Sequence, residues 1–109
     1  MQPTDAVTTV ALLARKQGMS VDLFSRYWRD VHGVLAVRIP GFWSYTQYHV
    51  TPVSPTAPGP AEFVMDGFAE VCFACEADRE AMGRSAVVPL ILRDEPNVFS
   101  RTLLYALAP

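Results

Sequence analysis

Charge is scarce in this chain of 109 residues, and what there is nearly cancels: nine Lys and Arg against eleven Asp and Glu, a net −2. No run of basic residues occurs, so the electrostatic footprint of a nucleic-acid or anionic-membrane binder is missing. No uninterrupted apolar stretch approaches the roughly 20 residues of a membrane span, and the start Met-Gln-Pro-Thr-Asp lacks a signal peptide's basic and apolar segments. A soluble cytoplasmic protein is therefore expected. There is no Gly-rich phosphate loop and no Gly-x-Ser-x-Gly elbow, which counts against nucleotide binding and serine hydrolysis. Cysteine is limited to Cys72 and Cys75. Their flanks read as strand, where residues three apart face opposite ways, and no second pair completes a zinc site. Two histidines in separate elements plus one carboxylate give no local ligand pattern, so neither a metal nor a cofactor is expected.

What is present is concentrated. Half of the residues are hydrophobic, enough for one compact domain over residues 1–109 with a modest core. The segment Trp28 to His49 holds both tryptophans, both histidines and two of the four tyrosines. Around it, Thr8 to Arg15 reads as a central strand, apolar on both faces. Ser20 is an N-cap for a helix from Val21 to near His32, with Phe24, Trp28, Val31 and Leu35 as its apolar stripe. Gly33 is a stop signal, although Leu35-Ala36-Val37 offers a further turn before Pro40. Phe42 to Val50 alternates as a strand, with Trp43, Tyr45, Gln47 and His49 on one face. The proline-rich segment Thr51 to Ala61 is a loop. Phe68 to Ala74 forms a third strand with Phe68, Glu70 and Cys72 on one side. Helices follow over Glu76 to Gly83 and after Ser85, the Asp94-Glu95-Pro96-Asn97 segment breaks the pattern, and Val98 to Leu107 is the last strand.

This order predicts an α+β, ferredoxin-like βαββαβ fold: a four-stranded antiparallel sheet with its helices on one face. The other sheet face then carries too many apolar groups to stay wet, and a second copy of the chain is the economical cover.

The spacings Leu13-x-Arg15-Lys16-x-Gly18-Met19-Ser20, Phe24-x-x-Tyr27-Trp28-x-x-x-His32-x-x-Leu35-Ala36 and Pro40-Gly41-x-x-x-Tyr45-x-Gln47-x-His49 resemble the EthD family of the dimeric α+β barrel superfamily. The segments Asp66 to Glu70 and Asp94 to Phe99 resemble it too. The resemblance implies a homodimer whose sheets face each other and enclose a cavity in each half. It also implies a functional range that includes polyketide cyclases, decarboxylases and cofactor-independent monooxygenases. Gly33-Val34 departs from the family's more usual small residue followed by proline, and Cys72 stands where an aromatic is common.

Weighed residue by residue, His49 has the stronger positional case as acid or base, with Tyr45 donating to a substrate oxygen and Glu70 fixing the imidazole tautomer. The plain alternative is a polar cluster inside a dimer interface. His32 fits both a second proton-transfer group and a histidine satisfying a helix end. Glu70, if buried, needs a partner such as Arg15 or Arg101. Trp43, Gln47, Phe68, Cys72 and Tyr105 are the expected substrate contacts. The function that follows is cofactor-independent proton transfer on a flat aromatic or polyketide-like acid, by cyclisation or decarboxylation in secondary metabolism. Cofactor-independent oxygenation of an anthrone or hydroquinone, and non-enzymatic binding of a small apolar molecule, are the alternatives.

Overall fold

A computed structural model describes residues 3–51 and 65–108, so most of the proline-rich segment lies outside the described residues. The elements follow the order β1 (Val7–Arg15), α1 (Val21–Tyr27), a π-helical turn (Trp28–His32), α2 (Gly33–Ala36), β2 (Phe42–His49), β3 (Gly67–Phe73), α3 (Glu76–Met82), α4 (Val88–Asp94), a 3₁₀ turn (Glu95–Asn97) and β4 (Phe99–Ala106). The four strands form one sheet in the order β2-β3-β1-β4, every neighbouring pair antiparallel. This is the ferredoxin-like arrangement, with β1 central as its apolar composition requires.

The first helix starts as its sequence dictates. Ser20 Oγ accepts from the Leu23 amide at 3.1 Å, and Asp22 pairs with Arg26 one turn on at 2.9 Å. It does not stop at Gly33. The backbone passes through the π turn and continues to Ala36, and Val31, expected on the buried stripe, is exposed. The buried side chains are Phe24, Trp28, His32 and Ala36, each four residues apart, with Gly33 buried beside them. At 3.6 residues per turn such a series drifts by about 40° per step, and the wider π turn takes up that drift and keeps His32 on the packed side.

The helix-facing side of the sheet carries Thr9, Ala11 and Leu13 of β1, opposite Val71, Ala69 and Gly67 of β3. In β2, Tyr45, Gln47 and His49 stand opposite the same three β3 residues. Leu13 and Ala69 join Phe24, Trp28, Val98 and Phe99 in one buried cluster. The Trp28 ring lies so close to the backbone of Gly67 that a Cβ there would come within 2.5 Å of Cζ3. Among the described residues no helix is long and apolar enough to cross a membrane.

Two expectations about sheet faces need correction. A register shift between Phe42 and Ser44 breaks the alternation, leaving Trp43 exposed while Phe42 stacks on Tyr45 at 6.1 Å. Glu70 pairs in register with Val10 and Thr46, so alternation sets it on the sheet face opposite Tyr45, Gln47 and His49. Phe68 and Cys72 share that opposite face, where Phe68 stacks on Tyr48 at 4.5 Å and Cys72 is fully buried. Arg15 is held by Asp66, which accepts from the Arg15 amide at 2.9 Å, rather than by Glu70. Among the described residues no three His, Cys, Asp or Glu side chains are grouped to hold a metal.

Candidate active site between the helices and the sheet

The space between the two layers is not filled by side chains. A cavity of about 330 Å³, partly open to solvent, runs along the helix-facing side of the sheet. Its volume falls at the small end of the roughly 300–1,000 Å³ typical of ligand pockets. Ala11, Leu13, Ala69, Val71 and Phe73 form its floor with Phe99 at the start of β4, and Trp28, Ile39, Met82 and Ile91 close it from the helix side. Against this apolar lining stand a few polar side chains: Thr9, Thr102, His32, Tyr45, Arg79 and Glu95.

His32 reaches the cavity because the π turn directs it there, edge-on to Phe99 at 5.0 Å. Its Nδ1 lies 3.0 Å from Asp94 Oδ2, and the other carboxylate oxygen accepts from Tyr27 Oη at 2.5 Å and Asn97 Nδ2 at 3.2 Å. Burial acts to raise the Asp94 pKa, but the hydrogen bonds from Tyr27, Asn97 and His32 outweigh it and hold the carboxyl below its usual range. An ionised Asp94 requires a donor at Oδ2, so the neutral imidazole carries its proton on Nδ1. Nε2 has no partner among the described residues yet is not sealed off from solvent, which leaves its lone pair available in the cavity. A largely shielded aspartate, a histidine whose tautomer it sets and an open ring nitrogen are the parts that a general base needs.

Tyr45 presents the opposite chemistry. Burial pushes its pKa up, opposed by hydrogen bonds from the side chains of Gln47 and Trp28, so it remains a phenol. Gln47 Nε2 donates to Tyr45 Oη at 2.9 Å and to the Trp28 carbonyl at 3.0 Å. With its oxygen already accepting, the Tyr45 hydroxyl proton is left to donate toward the cavity that the ring lines. The Trp28 carbonyl also accepts from the Gly33 amide across the π turn. Gly33 is needed there because a Cβ would lie 2.6 Å from Gln47 Nε2 and 2.9 Å from the Trp28 oxygen.

His49 is not in the cavity. Its ring packs against Trp28 at 4.6 Å, tilted by 41°, and Trp28 in turn forms the cavity wall. Nε2 sits 2.9 Å from Gln47 Oε1 and Nδ1 lies 2.5 Å from Ser25 Oγ, on the exposed side. Burial, then the nearby Arg29, holds its pKa below the ordinary imidazole value. Of the expected contacts, Tyr105 borders the cavity in β4, although its pairing with Val10 sets its side chain on the opposite sheet face, and Gln47 stands behind Tyr45. Trp43, Phe68, Cys72 and Glu70 do not line it. Sequence reasoning missed Asp94, read only as part of a break, as well as Arg79 and Glu95. Asp94 is 62 residues from His32, and no local pattern joins them.

Residues 16–102 match the family model described as the EthD domain. The chain belongs to the EthD family. No curated protein sequence matches it significantly. Solved structures resemble this EthD chain in fold at low identity. A dimeric ferredoxin-like protein of unknown function from Thermobifida fusca is 12% identical, with TM-score 0.69 over 95% of this chain and 91% of that one. The hydroxynitrile lyase of Passiflora edulis is 17% identical, with TM-score 0.67 over 97% and 96%. SnoaB, a cofactor-independent oxygenase from Streptomyces nogalater, is 11% identical, with TM-score 0.60 over 97% and 94%.

Proposed function

We propose that this EthD-family protein is a cofactor-independent enzyme of the lyase or cyclase type that moves protons on a compact, largely apolar ketone- or phenol-bearing acid. The observation that carries this reading is the free Nε2 of His32, backed by Asp94, in the same apolar cavity as the Tyr45 hydroxyl. His32 Nε2 takes a proton from carbon α to a carbonyl while Tyr45 donates to the oxygen on which negative charge develops. In a cyclisation the resulting enolate carbon attacks a second carbonyl, and the imidazolium returns its proton to the new alkoxide. In a decarboxylation His32 Nε2 instead takes the proton of the carboxylic acid, the carbon–carboxylate bond breaks, carbon dioxide leaves, and the imidazolium protonates the enolate carbon left behind. A polyketide-like acid of secondary metabolism has the required groups. Proton transfer is here assigned to His32 rather than His49, and Glu70 has no part in it.

A homodimer is part of the proposal. Val10, Leu12, Phe68, Tyr48, Leu103 and Tyr105 share the sheet face away from the helices, with Tyr105 and Tyr48 exposed, and the similar Thermobifida fusca protein is dimeric.

The test uses 2-tetralone, a bicyclic ketone with acidic α-hydrogens, and follows their exchange in D₂O by proton NMR. The wild-type protein accelerates exchange, His32→Gln returns it to the buffer rate, and Glu70→Gln, on the other sheet face, stays within about threefold of wild type. A folded His32→Gln protein as active as wild type would sink the assignment. Oxygen uptake on adding anthrone, without ketone exchange, replaces it with the oxygenation named for SnoaB. Binding of 2-tetralone with neither reaction leaves a binding protein.

A further inference from the structure

The Tyr45-x-Gln47-x-His49 triplet lies along one strand face, yet only Tyr45 touches the cavity. The other two residues form a chain behind it that ends on the surface, from Ser25 through His49 and Gln47 to Tyr45. Each link fixes the direction of the next. The Trp28 carbonyl can only accept, so the Gln47 amide nitrogen must face it and the Gln47 oxygen must face His49. That oxygen demands a proton on His49 Nε2, which leaves Nδ1 to accept from Ser25 Oγ. Protonating His49 retains the Nε2 proton, so the arrangement survives a change of imidazole charge. A flipped Gln47 would set its oxygen against the Trp28 carbonyl oxygen and lose that bond, whichever tautomer His49 adopts. The remaining Gln47 hydrogen therefore points at the Tyr45 oxygen, and Tyr45 cannot use its own proton on Gln47.

We infer that Gln47 is a positioning residue, locked by the Trp28 carbonyl and His49, whose task is to keep the Tyr45 hydroxyl proton directed at an anionic oxygen in the cavity. The inference rests on the assignment of Tyr45 as oxyanion donor in the preceding proposal. The ligand class it names is an enolate or phenolate, whose oxygen needs a donor, rather than a protonated alcohol or an amine. Arg79 and Glu95 also line the cavity, but neither touches this chain.

The experiment is a double-mutant cycle on two readouts: 2-tetralone exchange, and equilibrium binding of 2-naphthol as its phenolate, the aromatic counterpart of the 2-tetralone enolate, followed by the phenolate absorption band. Gln47→Glu offers Tyr45 a carboxylate and so draws its proton away from the cavity. In the wild-type background this slows exchange and weakens 2-naphthol binding, each by about 10- to 100-fold and close to the effect of Tyr45→Phe, with KM for 2-tetralone changed less than about twofold. In the Tyr45→Phe background the same substitution changes either readout less than about twofold, because Gln47 acts only through Tyr45. Equal losses in both backgrounds, or no loss in the wild type, would overturn the inference. If Gln47→Glu does not fold, Gln47→Leu runs the same cycle with an expected loss of about 3- to 10-fold, judged by the same two criteria. Failure of 2-naphthol to bind the wild-type protein also overturns it. Should His32→Gln leave exchange intact while the binding cycle shows the coupling, the proton-transfer proposal falls and the role of Gln47 stands.

Discussion

Asp94→Asn separates what Asp94 does for stability from what it does for His32. The carboxylate accepts three hydrogen bonds, from Tyr27, Asn97 and His32. An asparagine oriented with its oxygen toward Tyr27 and Asn97 keeps those two as neutral bonds and turns its NH₂ toward His32 Nδ1. Charge-assisted bonds contribute about 1.5–3 kcal/mol against about 0.5–1.5 for neutral ones; three such exchanges come to about 3–4 kcal/mol, and relief of the carboxylate's desolvation brings the net cost to about 2 kcal/mol. In a domain of this size that lowers Tm by about 8–16 °C, and the protein still folds. The imidazole, however, must now accept at Nδ1, and its proton moves to Nε2. The cavity then meets an N–H donor where it had a lone pair. In Ser-His-Asp sites the same misassigned tautomer slows turnover about 10⁴-fold, and a loss of about 10²–10⁴-fold is expected in 2-tetralone exchange. Long-range proton–nitrogen correlation spectra read the tautomer without any substrate. The wild type should show a protonated Nδ1 and a bare Nε2 on His32, and Asp94→Asn the reverse. A wild-type His32 protonated on Nε2, or an unchanged tautomer in Asp94→Asn, would refute the reasoning.

Gly33→Ala sets a helix-propensity gain of about 1 kcal/mol against a Cβ placed 2.9 Å from the Trp28 carbonyl. The backbone oxygen cannot yield cheaply, so net destabilisation of about 1–2 kcal/mol is expected in urea unfolding; a stabilised variant would show the π turn to be pliable. The folded-state pKa of His49 is lowered, so its contribution to stability is present above the unfolded imidazole value of about 6.5 and is lost as pH falls through the folded value. Glu95 is shifted upward by burial and works in the opposite sense. His49→Gln should therefore make stability fall less steeply between about pH 7 and 5 than in wild type, and an identical slope in both would remove His49 from the account. Sedimentation at micromolar concentration should give twice the 12.0 kDa chain mass, and a sole species at that single mass would contradict the dimer.

The strands were legible to within a residue or so at their ends, because β1, β2 and β3 each alternate or run apolar between Gly and Pro punctuation. The helix end was not. Gly33 reads as a stop, but here glycine serves close approach to Gln47, and the signal for continuation was the four-residue spacing of Phe24, Trp28, His32 and Ala36. Within β2 the shared face of Tyr45, Gln47 and His49 could be read from period two alone. Whether Glu70 joined them depended on the β2–β3 register, where a slip of one residue reverses every side chain. The register places Glu70 opposite Thr46, on the other side of the sheet. Trp43 was misplaced by a bulge that carries no sequence mark. His32 could not be separated from a helix-capping histidine without Asp94, which only the packing of α4 beside α2 brings to it.

The central claim is that the ligand site lies inside one protomer, between helices and sheet, with His32 and Tyr45 on its walls. Intermolecular nuclear Overhauser contacts from bound 2-naphthol locate it directly. Contacts to Ala11, Val71 and Phe99 are predicted; contacts confined to Val10, Phe68 and Leu103 on the opposite sheet face would contradict the account.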